Sequence, residues 1–329
     1  MILDGHDPVS IERAAQALAA GELIGLPTET VYGLAADAGS DGAVAKIFSA
    51  KGRPSDHPLI VHLASAAEVP AFAAQVPDFA QALMDAFWPG PLTLILPRRA
   101  EAGGAAAGGQ DSIGLRCPSH PVAHALLTAC ARLGVMGLAA PSANLFGRVS
   151  PTTAGHVEGE FGDGLLVLDG GPCRVGIEST IVDCTRGAPV LLRPGGISRE
   201  QVEAACGRSL RSREDLSSPD PRASGTLEAH YAPRAKVRLM DTQALQAALQ
   251  LLGTEAPRIG VYARTALAAT EASVQLRRMP ADAEATAREL FAVLRRFDED
   301  GVQLIWVERP PASADWEGVS DRLQRAAAA

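Results

Sequence analysis

Several familiar features are missing from this sequence. It has five cysteines, Cys117, Cys130, Cys173, Cys184 and Cys206, scattered and odd in number, with no Cys-x-x-Cys among them. That argues against a disulfide framework and a thiolate zinc site, and suits a reducing cytoplasm. No pair of histidines has metal-ligand spacing, so no tightly held protein metal is expected. No apolar run is long enough to cross a bilayer. The first residues, Met1-Ile2-Leu3-Asp4-Gly5-His6-Asp7, have neither the basic start nor the apolar core of a secretory leader. There is no Gly-x-x-x-x-Gly-Lys-Ser/Thr loop. Gly103-Gly104 and Gly108-Gly109 do not stand between a strand and a helix, as a dinucleotide fingerprint requires. No Gly-x-Ser-x-Gly elbow supports a serine hydrolase. Aromatics are only 4% of residues and net charge is −8, which speaks against an electrostatic nucleic-acid binder.

What is present is a chain of 329 residues, 47% hydrophobic, long enough for two cores. Asp7-Pro8 opens a helix lined by Ile11, Ala14, Ala15 and Leu18 and closed by Gly21. Apolar strands are expected at residues 23–26, 59–63, 92–96, 112–115, 135–140, 165–168, 179–182 and 190–192. Helices are expected at 41–50, across parts of 65–87, and from Ser119, as cap, to Gly134. Residues 101–110 are rich in Gly and Ala and read as mobile. Strands and helices mix irregularly to about residue 205, so residues 1–206 read as one α/β domain with a mixed sheet. Residues 207–234 are polar and read as a linker. Residues 235–329 alternate four strands with helices, a small α/β domain with a parallel sheet.

The candidate chemistry gathers at strand ends, where loops of α/β folds converge. Five polar clusters follow apolar strands: Thr28-Glu29-Thr30, Ser112 with Arg116, Ser142-Ala143-Asn144, Ser179-Thr180, and Arg193. Lys51-Gly52-Arg53-Pro54-Ser55-Asp56-His57-Pro58 precedes a sixth apolar run. Its prolines stiffen it, and in an extended loop Lys51 and Arg53 would leave on one side as an anion clamp. A solvated basic turn is the bland alternative. Arg116 and Arg193 either meet an anionic ligand or pair with structural acids. His57 and His62 either contact ligand or are satisfied internally. Four cations in an acidic protein suggest a polyanion such as a nucleoside triphosphate, with no reaction defined.

These residues resemble a known family. Lys51-x-Arg53 with Ser142-x-Asn144 is similar to the paired signature of YrdC-like domains. Pro27-Thr28-Glu29-Thr30-Val31-Tyr32-Gly33-Leu34, Trp88-Pro89-Gly90-Pro91-Leu92-Thr93, residues 177–183 and Leu192-Arg193-Pro194-Gly195 extend the likeness. His230-Tyr231-Ala232-Pro233 and the region behind it resemble the two-domain branch, the L-threonylcarbamoyladenylate synthases. The resemblance implies a twisted mixed-sheet YrdC-like domain followed by a small Rossmann-like parallel domain. It implies a nucleotidyltransferase that joins L-threonine, bicarbonate and ATP, with Mg²⁺ carried by ATP, into threonylcarbamoyl-AMP and diphosphate. A tRNA-modifying threonylcarbamoyl transferase machinery would use the product, with at most weak contact to tRNA itself. Carried over, Lys51, Arg53, His57, Ser112, Asn144, Thr152 and Arg193 would hold ATP, and His230-Tyr231 would close over it as a lid. Thr30, His62, Arg116, Ser142 and Ser179 would hold threonine. His57 stands where the family often has Asn, and Phe146 where a small residue is common. The reading from another class is an RNA-binding translation or ribosome-maturation factor that uses the same basic cleft.

Overall fold

Helix α1 (Pro8–Ala19) shows how local signals set the elements. Asp7 caps it by accepting from the Val9 N–H at 3.1 Å, with Pro8 at the first position. Gly21, with φ of 80°, turns the chain out of it. Ile11, Ala14, Ala15 and Leu18 form its buried face, and burying each Ile or Leu is worth about 1.5–3 kcal/mol.

The computed structural model describes residues 1–212, 225, 229–253, 256–265, 267 and 273–329. Most of the polar linker therefore lies outside the described residues. The chain divides into two units, Met1–Phe146 with Ser150–Thr226, and Gly147–Val149 with Leu227–Ala329. The second unit thus takes in a three-residue loop that boundaries at 206 and 235 do not include.

The first unit holds β1 (Ile2–Asp4), β2 (Ile24–Leu26), β3 (Gly33–Asp37), α2 (Asp41–Lys51), β4 (Ile60–His62), α3 (Val69–Phe72) and α4 (Asp78–Phe87). It continues with β5 (Leu92–Pro97), β6 (Ser112–Arg116), α5 (Pro121–Arg132), β7 (Leu138–Ala139), α6 (Ala154–Phe161), β8 (Leu166–Asp169), β9 (Thr180–Asp183), β10 (Val190–Arg193) and α7 (Arg199–Cys206). Its ten strands form one mixed sheet in the order β1-β8-β2-β3-β7-β4-β6-β5-β9-β10. The expected mixed sheet is therefore present.

One face of this sheet carries a continuous core, in which α2 and α4 contribute Val44, Ile47, Leu83 and Met84 against Leu34, Val61, Leu94 and Leu115. On the other face, α1 and α5 cover the β1-to-β7 half through Leu18, Leu126 and Cys130. Over β5, β9 and β10 that face carries a small cluster, Ile95, Ile181, Val190 and Leu192, with Ile60 alongside and no helix residue among them. This half is where the site is built.

Several local expectations change. Residues 101–110 are packed: Ala106 and Ala107 are fully buried, and the Leu59 N–H donates to the Ala106 carbonyl at 2.7 Å. Small side chains there allow close approach; they do not signal mobility. His120, not Ser119, caps α5, its ring nitrogen accepting from the Val122 N–H at 3.2 Å. The strand expected at 135–140 shortens to β7. Strands β1 and β3 and helix α7 were not expected. For α7 the signal was present, a capping box of Ser198 and Gln201. The linker's first residues also belong to the first unit: Leu210 is buried, and Arg211 exchanges backbone hydrogen bonds with Pro189 and Leu191.

The second unit holds β11 (Lys236–Met240), α8 (Thr242–Gln250), β12 (Ile259–Ala263), β13 (Val274–Arg278), α9 (Ala283–Glu299), β14 (Leu304–Glu308) and α10 (Glu317–Ala327). Its sheet is parallel throughout, in the order β11-β14-β12-β13. Strand alternating with helix leads to this arrangement, because parallel neighbours need crossover connections.

Candidate active site

Lys51 and Arg53 do not leave an extended loop. Lys51 is the last residue of α2, and Gly52 in the left-handed conformation (φ 62°) ends the helix between them. The Lys51 side chain is buried. Its Nζ donates to the Ser142 carbonyl at 2.6 Å and to the Asn144 carbonyl. Burial, then the Arg53 charge, pulls its pKa well below the ordinary lysine range. Lys51 thus holds the Ser142–Asn144 turn in shape. Arg53 donates through Nη2 to the Pro58 carbonyl at 2.9 Å and through Nε to the His57 carbonyl at 3.4 Å. Its guanidinium lies 5.6 Å from the centre of the Phe146 ring, and His57 meets the same ring edge-on at 5.4 Å. The two departures from the family pattern, His57 and Phe146, therefore touch each other.

Strands β4 and β6 build the wall between the two halves of the site. They are parallel, with Ile60 opposite Gly114 and His62 opposite Arg116. Opposed residues share a face, and so do alternate residues along a strand. Ser112, Gly114, Arg116, Ile60 and His62 therefore all present to the face that carries the Ile95–Ile181 cluster. Thr93, Ile95 and Ile181 join them through the registers of β5 and β9. Ser112 opens β6 instead of following a strand, and Arg116 closes it. Four rises of extended chain separate them by about 13 Å. Ser112 stands at the end of the wall from which the Arg53–His57 loop enters; His62 and Arg116 stand at the other.

Arg116 is held from three sides. Nη1 donates to the Thr30 hydroxyl at 2.8 Å and Nε to the Gly90 carbonyl at 3.4 Å. Nη2 lies 2.7 Å from Glu29 Oε1, an ion pair with each side chain 4% exposed. The structural acid is thus real, and Glu29 was not among the expected site residues. Its signal in the sequence was an acid between two threonines at a strand end. Burial raises the Glu29 pKa, but the Arg116 charge, helped by nearby backbone N–H groups, more than offsets this and holds it below the usual carboxylate range.

His62 is buried, and burial together with the Arg116 charge pushes its pKa down to about 3. It is neutral in the folded protein at physiological pH. In the unfolded chain it titrates near 6.5. Stability from this group is therefore fully present above pH 6.5 and is lost as pH falls from there toward 3. We expect the melting temperature to fall as pH drops below 6.5, and less steeply in His62→Gln. Equal slopes in thermal melts of the two proteins would contradict this.

Ser179 is fixed by its neighbours. Its hydroxyl lies 2.7 Å from that of Thr93 and accepts from Arg193 Nη2 at 3.1 Å, while its carbonyl accepts from Arg193 Nε at 3.0 Å. Arg193 reaches it from the end of β10, just past a bulge. Gly195 allows the approach, since a Cβ there would stand 2.5 Å from the Thr180 nitrogen. Asn144 donates through Nδ2 to the Leu145 carbonyl at 2.7 Å. The buried Thr152 donates its N–H to His156 Nδ1 at 3.2 Å. Within the second unit, Tyr231 adopts φ of 60°, stacks on Phe291 at 5.5 Å and meets His230 at 4.2 Å. Both are buried.

A ten-stranded mixed sheet with polar and cationic residues gathered on the β4–β6 pair, in a chain that also holds a four-stranded parallel α/β unit, defines a YrdC-like domain in its two-domain form. A family model described as "Telomere recombination" matches residues 16–195, and one described as "Threonylcarbamoyl-AMP synthase, C-terminal domain" matches 197–328. The threonylcarbamoyl-AMP synthase of Bacillus subtilis is 39% identical over 334 residues, covering 99% of this chain and 94% of its own. That of Pyrococcus abyssi is 37% identical over 325 residues, covering 96% and 93%. The crystal structure of P. abyssi Sua5 complexed with L-threonine matches with a TM-score of 0.90 at 36% identity, over 99% of this chain and 97% of that one. The chain belongs to the threonylcarbamoyl-AMP synthase family.

Proposed function

We propose that this protein makes threonylcarbamoyl-AMP and diphosphate from L-threonine, bicarbonate and ATP. The observation that carries the reading is the β4–β6 wall. One end offers Arg116 and Thr30, donor and hydroxyl for an amino-acid carboxylate. The other offers Arg53, His57 and Ser112 for a nucleotide. Threonine's free amine attacks bicarbonate and water leaves, giving a carbamate, and the carbamate oxygen then attacks the α-phosphorus of ATP with diphosphate leaving. The nucleophile is already an anion, so no activated serine or cysteine is required. Rate comes from bringing two anions together and stabilising charge on the phosphates.

In this reading Arg53, His57, Ser112, Asn144, Thr152 and Arg193 hold ATP, and Lys51 shapes the turn that carries Ser142 and Asn144. Thr30, His62, Arg116, Ser142 and Ser179 hold threonine. Neutral His62 serves as a hydrogen-bonding group, not a cation. Mg²⁺ arrives as part of the MgATP substrate. His230 and Tyr231 close over the nucleotide and keep water from the mixed anhydride. The product passes to a tRNA-modifying threonylcarbamoyl transferase in the cytoplasm. The test supplies ATP, L-threonine, bicarbonate and Mg²⁺ and follows diphosphate together with threonylcarbamoyl-AMP. Folded protein that yields neither removes the reading, and tight RNA binding with a steep salt dependence would favour a binding factor instead.

A further inference from the structure

The Arg116–Glu29 pair is unusual in how little else supports it. Both side chains are almost fully buried. Removing a charge pair from water costs several kcal/mol per ion, and further hydrogen bonds are needed to offset it. Here those bonds are missing on one side. The backbone N–H groups of Glu29 and Ser119 lie near the carboxylate, but among the described residues neither Glu29 oxygen has a donor in hydrogen-bond geometry, and neither has Arg116 Nη2 an acceptor. Nη2 and Oε1 are close, but their alignment is not that of a hydrogen bond. His62, beside Arg116 across the β4–β6 register, has the Ile60 and Leu138 carbonyls near its ring, but among the described residues Nδ1 has no partner in hydrogen-bond geometry. Buried polar atoms without partners are uncommon, and each calls for an explanation. Four of them, on three residues, converge on one spot, and that spot lies at the threonine end of the wall.

We propose that Glu29 and Arg116 form a receptor for a zwitterion: the substrate's carboxylate takes Arg116 and its ammonium takes Glu29. This rests on the reading that the site binds L-threonine, and adds Glu29 as a binding residue. The free pair fills the site with the same two charges in mirror order. When the zwitterion enters, each protein charge exchanges one partner for a better-aligned one, so no charge is left buried and alone. The two carboxylate oxygens supply the acceptors that an ammonium needs, since –NH₃⁺ carries three donors and no acceptor. Thr30 keeps its bond to Nη1 throughout, which holds the guanidinium plane for the incoming carboxylate. The arrangement selects for α-amino acids over hydroxy acids of the same shape, because a hydroxyl cannot answer a buried carboxylate's charge.

The experiment measures L-threonine binding to the full chain by calorimetry without ATP, alongside Michaelis constants in the full reaction. The probe pair is L-threonine and 2,3-dihydroxybutanoate of matching stereochemistry, in which a hydroxyl replaces the amine. Wild-type protein is expected to bind L-threonine at least tenfold more tightly than the hydroxy acid. Glu29→Gln is expected to raise KM for L-threonine at least tenfold with KM for ATP unchanged, and to erase the preference between the probes. Glu29→Asp, which keeps the charge, is expected to recover part of it. A purely supporting role for Glu29 would weaken both probes equally and leave their ratio intact; that outcome overturns the proposal. So does a wild-type protein that binds the two probes alike, a result that holds even where Glu29→Gln fails to fold. Wild-type protein that binds no L-threonine at all removes the functional reading instead.

Discussion

Arg53→Ala lowers the rate of diphosphate release by about a thousandfold or more, the range in which removing a phosphate-directed arginine falls. Arg53 is the cation we assign to the nucleotide end of the wall, and its guanidinium is oriented before any ligand arrives. The Pro58 and His57 carbonyls hold two edges, and the Phe146 ring lies under it. An orientation fixed in advance means little reorganisation as charge builds on the phosphates. The fold should survive the change. The lost hydrogen bonds are each worth about 1 kcal/mol, and a thermal melt should move by a few degrees. Diphosphate release within tenfold of wild type, from folded protein, would remove Arg53 from the nucleotide site. Arg53→Lys should rescue poorly, because a point charge lacks the planar fork.

Lys51→Met gives the second large effect, and for a different reason. Methionine matches the length of the lysine stem but has no donor. The carbonyls of Ser142 and Asn144 lose their shared partner. An unsatisfied buried acceptor costs about 1–3 kcal/mol, partly offset here because a buried amine no longer has to be accommodated. Net destabilisation of about 1–3 kcal/mol is expected, with activity falling about a hundredfold as the turn carrying Ser142 and Asn144 loosens. Denaturant unfolding and steady-state kinetics measure both. Destabilisation without a kinetic change would show that the turn keeps its shape unaided. The same geometry separates the two signature cations: Lys51 pins the Ser142–Asn144 turn, whereas Arg53 holds to its own loop and lies over the Phe146 ring.

The readable parts of the sequence were those with local causes. Asp7-Pro8 and Gly21 placed α1, and apolar patterning placed α2 and the strand–helix alternation of the second unit. The resemblance named the candidate site residues, because their motifs are short and contiguous. What stayed hidden depends on contacts distant in sequence. Glu29 and Arg116 lie far apart along the chain, and only the register of β6 beside β4, with the turn after β2 folded over it, brings them together. The Lys51 ammonium could not be read as a structural pin because its acceptors are carbonyls 91 and 93 residues away, and every residue has a carbonyl. Residues 101–110 misled for a related reason: Ala and Gly are as suited to tight burial as to loose loops. Strand β3 was missed because Gly33 and its alanines look like loop, yet it is stabilised by neighbours on both sides, β2 and β7.

Strand β6 also acts as a ruler. In the proposed reading its length separates the amino-acid end of the site from the nucleotide end, and pleated backbone is hard to stretch. An inhibitor that joins a threonine-like head to an adenosine-like tail has to respect that pitch. Linkers that shorten or lengthen the acyl-phosphate bridge by one atom should lose affinity sharply, because the wall cannot adjust. A one-residue deletion within β6 would do worse, turning Ser112 and Arg116 to opposite faces of the sheet. The strand is thus a place where chemists have a template and evolution has little slack.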